Sequence, residues 1–130
     1  MTLPEPDIEY LARRSVPHEI AADGAMTCLV LQGWALPQGL SQTSADLLVR
    51  LQPGYPDLAP DMWWFSPELF LEDGRRIQAT EVMENHLGRT WQRWSRHLEP
   101  GQWRSGIDSL ESYVTLIDRE LERCVMEPVS

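Results

Sequence analysis

Between Arg89 and Trp103 the chain sets three tryptophans, Trp91, Trp94 and Trp103, around Arg93, Ser95, Arg96 and His97. Indole rings cost free energy when left in water, so a segment this rich in them must be anchored against a core. The fold therefore has to accommodate a cationic, polar stretch among buried rings. Ser95, with His97 two residues on, has the chemistry of a nucleophile beside a base. Equally, Ser95 can be a packed loop residue and His97 a ring that hydrogen-bonds a neighbouring carbonyl.

The 130 residues suit one domain, 1–130, with a core from about 25 to 124 that needs no disulfide. No apolar run is long enough to span a membrane. The start, Met1-Thr2-Leu3-Pro4-Glu5-Pro6, lacks the basic and apolar regions of a signal peptide, which points to the cytoplasm. A net charge of -9 argues against nonspecific binding to nucleic acid or anionic membranes. That charge is uneven, because residues 85–104 hold four arginines and one glutamate. Such a stretch is either a solvated basic loop or a local positive field, serving a reaction centre or an acidic partner. Cys28, inside the apolar run 27–31, reads as a buried inert thiol, and Cys124 as a core-facing helix position. His18, His86 and His97 show no metal-ligand spacing, and no cofactor is implied.

A short helix is expected over Asp7–Arg14, acids first and arginines last, ended by Pro17. Asp23-Gly24 reads as a turn into a strand over about Ala25–Leu36. After a polar link, Ala45–Gln52 forms a second strand, with Leu47, Val49 and Leu51 on one face. Asp61–Phe65 is a short third strand bounded by Pro60 and Pro67, with Trp63 and Trp64 on opposite faces. From Ser66 to about Gln102 no period persists, apart from a turn at Glu72-Asp73-Gly74, and long irregular stretches inside domains are usually functional. Ile107, Leu110, Val114, Ile117, Leu121 and Cys124 then mark one stripe of a final helix, with Ser105 and Asp108 as a weakened capping box and Glu120, Glu122 and Arg123 facing solvent. The order predicts an α+β layer fold: an antiparallel meander, a short N-terminal helix and a C-terminal helix packed on the sheet.

Tyr55, Pro56 and Pro60, directly after a strand and before an aromatic one, resemble the Tyr-Pro-x-x-Pro-Pro segment of the ubiquitin-conjugating enzyme superfamily. In that family a catalytic cysteine lies in the irregular stretch, eight residues before a tryptophan that opens the next helix. Trp103 stands at such a junction here, and eight residues before it stands Ser95. The resemblance covers about Ala25 to Cys124 and is nearer to the bacterial branch of the superfamily. It implies a truncated form of that fold, lacking the helices that usually follow. This chain departs from the pattern at several points. No cysteine occupies the catalytic position, the His-Pro-Asn tripeptide is missing, and Ala59 and Ser105 replace prolines.

The resemblance implies acyl transfer in a bacterial ubiquitin-like conjugation pathway. The partners it implies are a ubiquitin-like modifier, an adenylating activating enzyme and target proteins. Ser95 would hold the modifier as an oxyester, with His97 as base and His86 in reserve. Arg93, Arg96 or Arg104 would stabilise the oxyanion in place of the missing asparagine. The alternative is a catalytically inactive adaptor of the same fold, which binds the modifier or activating enzyme without chemistry. An unrelated domain with a hydrolase-like Ser/His pair is a third reading, favoured if no meander precedes the site.

Overall fold

A computed structural model describes residues 3–126. The chain runs α1 (Glu5–Arg14), β1 (His18–Asp23), β2 (Met26–Ala35), β3 (Ser44–Leu51), β4 (Trp63–Ser66), β5 (Met83–His86), β6 (Arg89–Trp94) and α2 (Leu110–Met126). All six strands join one antiparallel sheet in the order β1-β2-β3-β4-β6-β5. Two helices with this sheet make the expected α+β fold, and the meander β1 to β4 precedes Ser95.

The central strands form where apolar residues are densest. Leu29 and Leu31 of β2 and Leu47, Val49 and Leu51 of β3 point to the face covered by the helices. Cys28, Val30 and Leu48 point the other way, into a second cluster with Trp64 and Trp91. Trp63 and Trp64 thus occupy opposite faces, both buried, with Trp63 in the main core. Helix α2 lays Leu110, Val114, Ile117, Leu121 and Cys124 on the sheet, joined by Tyr113. Helix α1 adds Tyr10 and Leu11 to the same core.

Several boundaries differ from expectation. The stretch 66–102 is not wholly irregular, since the β5–β6 hairpin lies within it. Its turn, Leu87-Gly88, has positive φ at both residues (55° and 74°), the geometry that matches the twist of a two-residue hairpin. β6 escaped the periodic signal because its two indoles, three residues apart, fall on opposite faces and break the alternation. Trp91 is buried on one side, Gln92 and Trp94 on the other. β1 is an edge strand with mostly exposed side chains, so it also lacks apolar alternation. At the C-terminal helix, Ile107 is 66% exposed and precedes the helix. Ser105 is not a cap: its hydroxyl donates to Asp57, and Asp108 accepts from the Arg104 amide. The polar contacts at the helix start belong to Ser112, whose hydroxyl accepts from the Ser109 amide at 2.9 Å and donates to the Ser109 carbonyl at 3.0 Å.

The motif residues meet one another. Trp103 Nε1 donates to the Pro56 carbonyl at 2.9 Å, and its ring lies 6.2 Å from that of Tyr55 and 6.3 Å from that of Tyr113. Tyr55 Oη donates to the buried Asp7 carboxylate at 2.6 Å, whose other oxygen accepts from the Leu110 amide at 3.1 Å. One carboxylate thereby ties α1, the Tyr55-Pro56 turn and the start of α2. Pro60 is buried beside β4. No helix among the described residues is long and apolar enough to cross a membrane.

Candidate active site

Ser95 is the first residue after β6, half-buried, with its amide bonded to the Ala79 carbonyl at 3.1 Å. Alternation along the strand decides its surroundings. Trp91, Arg93 and Ser95 belong to the outer face of the sheet, and Gln92, Trp94 and Arg96 to the helix face. On the outer face Arg93 Nε donates to Ser95 Oγ at 3.1 Å, and Arg93 Nη1 donates to Glu84 at 2.9 Å. Glu84 also accepts from Trp64 Nε1 at 2.8 Å and stands 3.1 Å from His86 Nε2. Burial alone would raise the Glu84 carboxyl, but the hydrogen bonds from Trp64 and His86 and the Arg93 guanidinium outweigh it, so the group is held below its ordinary range. The result is a polar chain running from His86 and Trp64 through Glu84 and Arg93 to the serine hydroxyl.

The other candidates lie elsewhere. His97 is exposed, and its Nδ1 is 2.7 Å from Asp61 Oδ1, an ion pair when the ring is protonated. No hydrogen bond joins His97, or any other titratable base, to Ser95 Oγ among the described residues. Arg96 crosses to α2, where it pairs with Glu120 at 2.7 Å and stacks over the Trp94 ring at 4.9 Å. Its Nη1 also donates to the Gln78 carbonyl at 2.8 Å, which ties the exit of β6 to the segment before β5. His86, the reserve base, reaches Ser95 only through Glu84 and Arg93.

Charge pairing corrects the picture of a free basic patch. Arg89 pairs with Asp46, Arg93 with Glu84, Arg96 with Glu120, and Arg104 stands 3.7 Å from Asp108. Each arginine of 85–104 thus faces its own carboxylate from another segment or the next turn. Glu120, expected on the solvent side, is instead partly buried between Arg96 and Arg123. The Arg123 hydrogen bond, followed by those of Arg96, keeps its carboxyl below the ordinary range despite burial.

Three contributors had no sequence signal. Glu84 lies on the unread hairpin, Asp61 acts across the sequence, and Gln92 is a wholly buried polar residue within a strand. The Gln92 amide bonds both the N–H and the carbonyl of Leu69, at 2.9 and 3.0 Å, and accepts from Trp94 Nε1 at 2.9 Å. It therefore fixes β6, and with it the approach to Ser95, against the segment 66–71. Cys28 and Cys124 are both buried free thiols, and burial, then the Glu120 charge, pushes Cys124 up from its ordinary value.

No curated protein and no solved structure matches the chain. The model of prokaryotic E2 family E matches residues 3–124, a span that contains both helices' buried faces, the Tyr55-Pro56 turn, Ser95 and Trp103. The chain belongs to prokaryotic E2 family E, a bacterial branch of the ubiquitin-conjugating enzyme fold.

Proposed function

We infer that this chain carries a ubiquitin-like modifier as an oxyester on Ser95 and passes it to a target amine. In the first step Ser95 Oγ attacks the modifier's C-terminal carbonyl, held as a thioester on an adenylating activating enzyme. The C–O bond forms, the C–S bond breaks, and the departing thiolate takes the serine proton. In the second step a target amine attacks the ester, an amide forms, and the Ser95 hydroxyl is regenerated. Family membership supports the class of pathway and the kind of partners.

The observation that carries the reading is the contact between Arg93 Nε and Ser95 Oγ. A guanidinium N–H aimed at a hydroxyl oxygen favours negative charge developing there, and the same group lies near the oxyanion that follows. Arg93 and Ser95 are thus the central pair. Arg96 supports the segment through its carbonyl contacts, and His97 serves as base only by rotating off Asp61. Such tightening on substrate binding is common, since catalytic hydrogen bonds are often loose without substrate.

A second reading is favoured by one specific observation, the pairing of His97 with Asp61 in place of Ser95. It makes the chain a noncatalytic adaptor that binds modifier or activating enzyme. Incubation with activating enzyme, modifier and ATP separates the two. The carrier gives an adduct that resists thiol reductant, is cleaved by alkali and disappears in Ser95→Ala. The adaptor gives binding without an adduct, indifferent to that substitution.

A further inference from the structure

A prominent cavity among the described residues does not involve Ser95. It is an open cleft of about 830 Å³ between α2 and the segment that follows β6, and it is lined on α2 from Ser112 to Arg123. That span is three turns of helix, roughly 16 Å at 1.5 Å per residue, which matches an extended peptide of about five residues. An elongated trench of this kind suits a chain segment better than a compact ligand.

Its chemistry divides along the helix. Toward the start of α2 the wall is apolar, with Tyr113 and Leu116 facing Leu98. Toward the end it is cationic, with Arg96, Arg119 and Arg123 against the single carboxylate of Glu120. Arg96 is neutralised by Glu120, but Arg119 is exposed and has no hydrogen bond or ion pair among the described residues. In a chain of net charge -9 this is a local inversion of sign. A second observation comes from the cleft wall itself. Trp63 lines it, and its Nε1 is a buried donor with no hydrogen-bond partner. That atom has no exposed surface, so an acceptor from outside reaches it only if the wall shifts, and its resonance serves as a reporter of the cleft. At the apolar end the Asp61 carboxylate, paired with His97, acts on Tyr113, so a peptide carboxylate is disfavoured there relative to the Arg119 end.

We propose that this cleft binds an acidic, apolar-anchored peptide segment of a partner protein. Its bulky side chains lie on Tyr113, Leu116 and Leu98, and its carboxylates lie at Arg119. The cleft borders the Ser95 segment through Arg96 and His97, but Ser95 is not among its lining residues and the peptide's proposed anchors are Tyr113, Leu116, Leu98 and Arg119. It can therefore stand whether or not Ser95 reacts.

The test uses two fluorescein-labelled octapeptides, one with a leucine-phenylalanine block before four glutamates and one with the order reversed. Lysine-for-glutamate versions of both serve as controls, and benzoate serves as a small apolar anion. Binding is read by fluorescence polarisation and by the indole N–H resonance of Trp63, assigned with Trp63→Phe. At least one acidic peptide is expected to bind and to shift that resonance. Its affinity falls at least tenfold in Arg119→Glu, and severalfold in Arg119→Ala, with unchanged circular dichroism. The lysine peptides do not bind. The proposal is overturned if neither acidic peptide binds at millimolar concentration, or if binding is indifferent to both Arg119 variants. It is equally overturned if lysine peptides bind as well, or if benzoate binds as tightly as the peptides.

Discussion

Arg93 Nε lies 3.1 Å from Ser95 Oγ while its Nη1 lies 2.9 Å from Glu84, so one guanidinium both touches the hydroxyl and is itself held in place. Arg93→Met keeps the bulk of the stem and removes both contacts. Ester formation on Ser95 is expected to slow by roughly a hundredfold, the usual loss of one oxyanion-type donor. Folding stability should fall by only about 1 kcal/mol, as for a partly exposed ion pair. Single-turnover adduct assays and urea melts read the two effects separately.

Glu84 and Glu120 contribute to acid sensitivity from partly buried positions. Both are held below their ordinary value of 4.5, Glu84 against the opposing effect of burial and Glu120 by Arg123 first and Arg96 after burial. A carboxylate with a lowered folded value binds fewer protons folded than unfolded at intermediate pH. Its stabilisation is therefore complete well above 4.5 and is lost as pH falls through the lower folded value. The urea midpoint should be level near neutrality and decline below about pH 4.5, as the carboxylates protonate. Glu84→Gln with Glu120→Gln should start lower at pH 7 and show a shallower acid limb.

The Asp7 carboxylate receives Tyr55 Oη and the Leu110 amide inside the core. Asp7→Ala leaves two buried donors without an acceptor, and the expected loss is about 3 kcal/mol. Tyr55→Phe removes one donor only and should cost about 1–2 kcal/mol. Both are read from denaturant unfolding, and an Asp7→Ala loss below that of Tyr55→Phe would count against the shared junction.

Alkali should act through the tyrosines. Burial raises Tyr113 above its ordinary value of 10.0, and burial with the Asp7 hydrogen bond raises Tyr55. A raised folded value means stability is full below 10.0 and is lost as pH rises beyond it, because the unfolded chain ionises first. Absorbance titration should show all three tyrosines ionising above the ordinary range, because burial raises Tyr10 as well. Tyr113→Phe should flatten the alkaline limb of the stability curve.

The thiols test the absence of a hidden cysteine nucleophile. Both are buried, and Cys124 is pushed up by burial and by Glu120. Native protein at pH 8 should resist iodoacetamide, while denatured protein takes up two equivalents, one per cysteine. Mass spectrometry counts the adducts, and rapid native labelling of Cys124 would contradict the burial.

The elements legible in sequence were the strands dense in apolar residues and the helix with a single apolar stripe. Leu47, Val49 and Leu51 alternate on β3, and the stripe from Leu110 to Cys124 has helical spacing, so both were readable. The Tyr55-Pro56 turn and Trp103 were readable as a motif, and they do touch. β6 was hidden because indoles on both faces erase the alternation that marks a strand. The helix start was misread because exposed Ile107 falls on the apolar spacing by coincidence. At the site, nearness in sequence suggested Ser95 with His97. The turn out of β6 sends His97 toward Asp61, and the partner of Ser95 is Arg93, two residues earlier on the same face. The local charge of 85–104 was also misleading, since its arginines meet carboxylates from Asp46, Glu84 and Glu120, distant in sequence.

Ser95→Cys exchanges the oxygen that would hold the modifier for sulfur. Wild-type and variant proteins are incubated with activating enzyme, modifier and ATP, and each adduct is challenged with thiol reductant and with alkali. The wild-type adduct is expected to survive reductant and yield to alkali, and the variant adduct to be removed by reductant. An adduct that stays reductant-stable in the variant, or no wild-type adduct at all, would contradict an oxyester on Ser95.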